Sequence, residues 1–228
     1  MLKSLIKRIN FRKYEHAKYM LFIPIYMAIF LLEERNITSD YFVSYVPLDD
    51  LIPFCEWFVI PYFSWYPLML GTGFYLFAKD PEGFKNYMIY IGAGFLLIVL
   101  FYAFLPNGQN LRPTSFDRSN ILIDVVKWTY SRDTNTNVLP SLHVVGTMGA
   151  MFALLESKSV RKLWFKLFII ILAISISLST VYIKQHSILD VFTGVPLGII
   201  YYFAVYKWAP HLKMAKETRS REVHASRY

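Results

Sequence analysis

Six apolar runs, parted by charged or proline-containing turns, leave this chain few architectures. They occupy residues 19–32, 54–78, 86–105, 141–155, 163–182 and 188–208. A run of about 20 apolar residues crosses a bilayer core of about 30 Å as a helix, so the expected fold class is all-α, a bundle of six transmembrane helices. Pro61 and Pro67 fall inside the second run and predict a kink there. The fourth run is short for a spanning helix, which predicts a start sunk in a cavity walled by its neighbours. Before it, residues 121–130 carry an amphipathic pattern, expected as a short interfacial helix. Residues 33–53, with Glu33, Glu34, Asp40, Asp49 and Asp50 beside Pro47 and Pro53, read as an acidic loop, and Pro106-Asn107-Gly108 reads as a turn.

With 55% apolar and 18% aromatic residues, the composition is that of an integral membrane protein rather than a soluble domain. The formal charge of +8 does not point to nucleic acid, because the basic residues gather at the chain ends and between apolar runs. The anionic partner it implies is the lipid bilayer. Eighteen of the 24 Lys and Arg residues lie in residues 1–18, after the second run, from the end of the fourth run to Lys166 near the start of the fifth, and from Lys207 onward. By the positive-inside rule both termini are cytoplasmic. Residues 1–18 are expected to form a basic amphipathic segment, 19–210 the six-helix domain, and 211–228 a basic tail against anionic headgroups. Cys55 is the one cysteine, which excludes an intrachain disulfide and a thiolate metal cluster. No small-residue cleavage pattern follows the first run, and the compact plan suits a bacterial cytoplasmic membrane.

Three polar islands converge on the outer side under this topology. The first is Leu111-Arg112-Pro113-Thr114, the second runs from Asn137 to His143, and the third reads S-T-V-Y-I-K-Q-H-S-I-L-D from Ser179 to Asp190. Ionisable residues at a membrane boundary mark sites by default, and His186 and Asp190, four apart, share a helix face. Pro140 and Ser141 read as a helix start, whose free N–H groups near Leu142 and His143 favour an anion such as phosphate. Arg112 offers bidentate donors and Lys184 a compact cation. Each residue alone also has an ordinary reading: a satisfied histidine for His143, and snorkelling to headgroups for Arg112 and Lys184. Arg118, Asp117, Asp124, Lys127, Arg132 and Asp133 read as a solvated loop face, with the alternative that Asp133, Asn135 and Asn137 order the approach to the fourth run, and Trp57, Trp65, Trp128, Trp164 and Trp208 read as interface anchors.

Order and spacing of the islands resemble the phosphatidic acid phosphatase type 2 superfamily, whose motifs read K-x6-R-P, P-S-G-H and S-R-x5-H-x3-D. Arg112-Pro113, Pro140-Ser141 with His143, and Ser179 with His186 and Asp190 match, whereas Leu105, Leu142 and Thr180 replace Lys, Gly and Arg. These replacements look like the branch similar to inositol phosphorylceramide synthases, in which Lys184 would stand for a lost cation. The resemblance implies that His186 attacks phosphorus to give a phosphohistidine, Asp190 orients the imidazole, and His143 protonates the leaving oxygen. Arg112, Lys184, Ser141 and the N–H groups near Leu142 and His143 would hold the phosphoryl oxygens. No metal and no cofactor is implied. The expected function is hydrolysis of a membrane lipid phosphate or pyrophosphate on the extracytoplasmic side. The alternatives are transfer of a phosphoryl-containing headgroup to an alcohol, as in inositol phosphorylceramide or sphingomyelin synthases, and a non-catalytic lipid-phosphate binder.

Overall fold

A computed structural model describes residues 11–36 and 40–209. The basic stretch 1–10 and the tail 211–228 lie outside the described residues. A 3-10 helix, Phe11–Leu21, leads into α1 (Phe22–Asn36); then come a one-turn helix α2 (Leu48–Leu51), α3 (Val59–Lys79), α4 (Pro81–Phe104), α5 (Ile121–Arg132), α6 (Leu142–Glu156), α7 (Leu163–Tyr182) and α8 (Ile188–Tyr202), the last continued by a π-helical stretch, Phe203–Trp208. Of the described residues, 74% are helical. Each apolar run thus carries a helix, but among the described residues four stretches are both long and apolar enough to cross a membrane: Glu15–Glu34, Pro81–Phe104, Leu163–Tyr182 and Ile188–Trp208. Helix α6 has 15 residues. Helix α3 has 21 but mixes Tyr, Trp, Ser and Pro into its apolar residues.

Local chemistry explains where helix ends depart from the apolar runs. Asp80 caps α4, accepting from Gly83 N at 2.9 Å, and Pro81 opens it, where a missing N–H costs nothing. Helix α4 therefore begins five residues before the apolar run does. Pro61 likewise falls in the first turn of α3, and Pro67 lies inside it. Asn120 caps α5, its side chain accepting from Ile123 N at 3.0 Å.

A helix too short to span sits at the centre. Helix α6 packs against α3, α4, α7 and α8, and every residue from Val144 to Ala150 is buried, as a helix apolar on all sides requires. A Cβ on Gly149 would stand 2.6 Å from the Tyr90 ring, and one on Gly146 2.8 Å from Phe95 Cζ. Glycine is what lets α4 approach this closely. Gly71, by contrast, faces open space.

At the end where α4 and α7 stop and α6 and α8 start, the loops form a braid. Strand β1 (Phe42–Val43) pairs in parallel with β2 (Asn107–Gly108), and Gly108 bridges to Thr136. Residues read as a turn are thus strand, and Asn107 is fully buried. Its carboxamide oxygen accepts from Val138 N and Leu139 N at 2.9 and 2.7 Å, and its amide donates to Leu139 O at 3.1 Å. This staples the segment entering α6 to the end of α4. The acidic loop folds inward too. Asp49, fully buried, accepts from Ile188 N at 2.8 Å, Ser187 Oγ at 2.6 Å and Val46 N at 2.9 Å, so it compensates the positive end of α8.

Candidate active site

A chain reversal delivers His186. Helix α7 closes with Gln185 N donating to Thr180 O at 2.9 Å and Lys184 N to Val181 O at 3.1 Å, the two bonds of a Schellman cap. Lys184 sits at the left-handed position, φ 54°, that glycine usually fills. His186 N joins on the Thr180 carbonyl at 3.0 Å, and α8 begins at once behind Ser187. Ser187 and Asp190 form a capping box.

The same carboxylate holds the imidazole. His186 Nδ1 lies 3.0 Å from Asp190 Oδ2 and 3.1 Å from Val138 O. Both partners are acceptors, so Nδ1 carries the proton and Nε2 keeps its lone pair. That nitrogen is 3.3 Å from Ser141 Oγ. Ser141 caps α6, its oxygen accepting from Val144 N at 3.3 Å, which leaves its hydroxyl proton for His186. Asp190, with no exposed surface, also accepts from Ser187 N at 3.0 Å and from Ser44 Oγ in the β1 segment. Four elements hold one carboxylate–imidazole pair.

His143 enters one residue into α6. Its ring stacks on Tyr62 at 4.7 Å, lies 4.8 Å from Trp65, and is 5.7 Å from the His186 ring. Trp65 is therefore part of the site wall rather than an interface anchor, while Trp57, Trp128, Trp164 and Trp208 are exposed. Arg112 reaches the same place from the loop after β2. Its guanidinium stands 4.6 Å over the Tyr130 ring and donates to Tyr130 O at 3.3 Å, Thr134 O at 2.6 Å and Gln185 Oε1. Burial lowers its pKa, yet arginine stays charged. Three buried ring or guanidine nitrogens here have no hydrogen-bond partner among the described residues: Arg112 Nε, Trp65 Nε1 and His143 Nε2. Orphaned donors at one site are costly and call for a ligand acceptor.

Lys184 does not join the cluster. Its ammonium donates to Asp49 O at 2.9 Å and Ile52 O at 2.5 Å, because the left-handed backbone turns it under α2. Burial lowers its pKa. Leu142 is half-buried beside the site, at the first position of α6. Leu105, 39% exposed, caps α4, and the Thr180 hydroxyl bonds Ser177 O at 2.8 Å; neither supplies a charge. Of the three cations carried by the family motifs, Arg112 alone is present here.

Gln185 and Asp133 carry roles the sequence does not announce. Gln185 Nε2 donates to Asp133 Oδ2 at 3.1 Å while its oxygen takes Arg112. Tyr62 also donates to Asp133 Oδ2, at 3.1 Å. Asp133 is solvent-exposed, as a loop-face residue should be, but it also opens onto a cavity of about 330 Å³ that His143, Gln185 and His186 line. Tyr26, Met27 and Phe30 of α1, Phe63 and Tyr66 of α3 and Trp128 of α5 form the apolar part of its wall. The cavity thus joins a polar part to an aromatic part, the make-up of a site for a ligand with a polar head and an apolar body.

The sequence profile of the PAP2 superfamily matches residues 87–214. No curated protein matches the chain. Among solved structures, the crystal structure of Aquifex aeolicus LpxE is similar, with a TM-score of 0.49, 20% identity, and an alignment covering 80% of this chain and 94% of that one.

Proposed function

The chain belongs to the PAP2 superfamily, and on that premise we propose that it is an integral membrane enzyme that cleaves a lipid phosphate or pyrophosphate through a phosphohistidine on His186. The observation that carries this is the pair of acceptors on Nδ1, Asp190 and Val138, which leaves the Nε2 lone pair beside Ser141 and the cavity. Nε2 attacks phosphorus, a P–N bond forms as the ester P–O bond breaks, and His143 protonates the leaving oxygen. Arg112, the Ser141 hydroxyl and the N–H groups at Leu142 and His143 bear the charge that develops on the other oxygens. Asp190 offsets the positive charge the imidazole acquires. The proposed topology has six spans, both termini cytoplasmic and the site at the outer leaflet of a bacterial cytoplasmic membrane. The basic ends 1–18 and 211–228 lie on the anionic inner surface.

A second reading rests on charge. With Leu105 and Thr180 in place of two motif cations, Arg112 faces a substrate that carries close to two negative charges as a monoester but one as a diester. A diester matches this site better, which favours passing a phosphoryl-containing headgroup to an alcohol. The test is product analysis on purified protein with a panel of lipid phosphates, with and without an added alcohol. Hydrolysis without acceptor, abolished in His186→Ala, supports the phosphatase. Product formation only with acceptor supports transfer, and equal turnover by His186→Ala refutes both.

A further inference from the structure

Three carboxylates surround the reacting centre, and their hydrogen bonds separate them. Both oxygens of Asp190 are taken, by Ser44 on one side and by His186 and Ser187 on the other. Both oxygens of Glu34 are taken by Thr134 and Asn137. Asp133 differs. Tyr62 and Gln185 both bond its Oδ2, while Oδ1 has no hydrogen bond among the described residues and the residue opens onto the cavity shared with His186. The carboxylate is thus fixed through one oxygen and presents the other.

His143 is the other group able to take a proton there, but its ring is wedged between Tyr62 and Trp65 with Nε2 buried and unpartnered. Tyr62 stacks on His143 and bonds Asp133, so the two groups share one wall of the cavity. We propose that Asp133 is a catalytic residue of the second half-reaction, the base that receives the proton of the incoming water or alcohol. The inference rests on the phosphohistidine reading above. The acceptor oxygen attacks phosphorus, its O–H proton passes to Asp133 Oδ1, the new P–O bond forms, and the P–N bond breaks with its electron pair returning to His186 Nε2. His143 serves the first step and Asp133 the second.

The electrostatics agree with that division. Enclosure by protein raises the Asp133 carboxyl above the usual range, opposed by His186, Tyr62 and Arg112; Glu34 on α1 and Tyr66 on α3 also reach it, and Arg132 lines the same cavity. A carboxylate raised toward neutrality is a stronger base than one in water.

The test follows the covalent intermediate with a lipid phosphate labelled at phosphorus. Asp133→Asn keeps an oxygen for Tyr62 and Gln185. It should take up label that is acid-labile and alkali-stable, then lose it about 10² to 10⁴ times more slowly than wild type, while His186→Ala takes up none. In wild type the loss of label should quicken as pH rises through the carboxyl pKa, and in Asp133→Asn it should not. Asp133→Gly should regain label loss when formate is added, a rescue that a purely structural role does not give. If Asp133→Asn sheds label at the wild-type rate, or formate leaves Asp133→Gly unchanged, Asp133 is not the base. Wild-type turnover without any label refutes the phosphohistidine itself and this inference with it.

Discussion

Replacing Asp190 by Asn separates charge from geometry at the nucleophile. An asparagine oxygen in the place of Oδ2 still accepts from His186 Nδ1 and Ser187 N, and its amide meets Ser44 Oγ, which turns from donor to acceptor. Val138 O, 3.1 Å from Nδ1, holds the tautomer in either case. What the variant loses is the negative charge facing an imidazole that, in the proposed mechanism, becomes cationic on phosphorylation. For charges about 4 Å apart at an effective dielectric constant near 20, that is about 4 kcal/mol, or a fall of about a thousandfold in the rate of phosphohistidine formation. Asp190→Ala adds a second injury, stranding two buried donors, Ser187 N and Ser44 Oγ, at about 1–3 kcal/mol each. The assay pairs lipid-phosphate turnover in detergent with thermal unfolding. Asp190→Asn should melt near wild type and turn over about a thousandfold more slowly, and Asp190→Ala should also melt at a clearly lower temperature. Turnover by Asp190→Asn within tenfold of wild type would refute the assigned role of the charge.

His143→Ala should retain detectable turnover, down about 10²- to 10⁴-fold, and an unaffected rate would remove it from the proton-transfer step. Lys184→Met should lower the unfolding temperature through the lost bonds to Asp49 O and Ile52 O and leave KM within about threefold. A KM rise beyond tenfold with unchanged melting would return Lys184 to the phosphate. Turnover should persist after exhaustive chelation of divalent ions, and its loss, restored by one added metal, would overturn a mechanism built on Arg112 and the helix start.

What was legible in the chain was what short-range spacing dictates. His186 and Asp190 share a face because they are four apart, Ser141 caps because a helix start needs an acceptor there, and the helices follow the apolar runs. Asp49 and Ser44 gave no such signal, since a polar residue in a loop looks the same whether it faces water or closes a buried network across the fold. Lys184 shows the limit from the other side. Adjacency in sequence set it beside the nucleophile, but a left-handed φ and two distant carbonyls decided where its ammonium went. Gln185, between them, was open to notice as the immediate neighbour of the nucleophile; its choice of Arg112 and Asp133 was not.

The bond from Ser44 to Asp190 joins residues 146 positions apart, the loop after the first helix to the start of the last. A chain inserted from its N-terminus during synthesis lays down that loop early and waits for α8 before the carboxylate it serves exists. The nucleophile therefore acquires its support only when both ends of the bundle have met. A chain that stops before α8 lacks Asp190, so the site can assemble only once the last helix has met the loop laid down first.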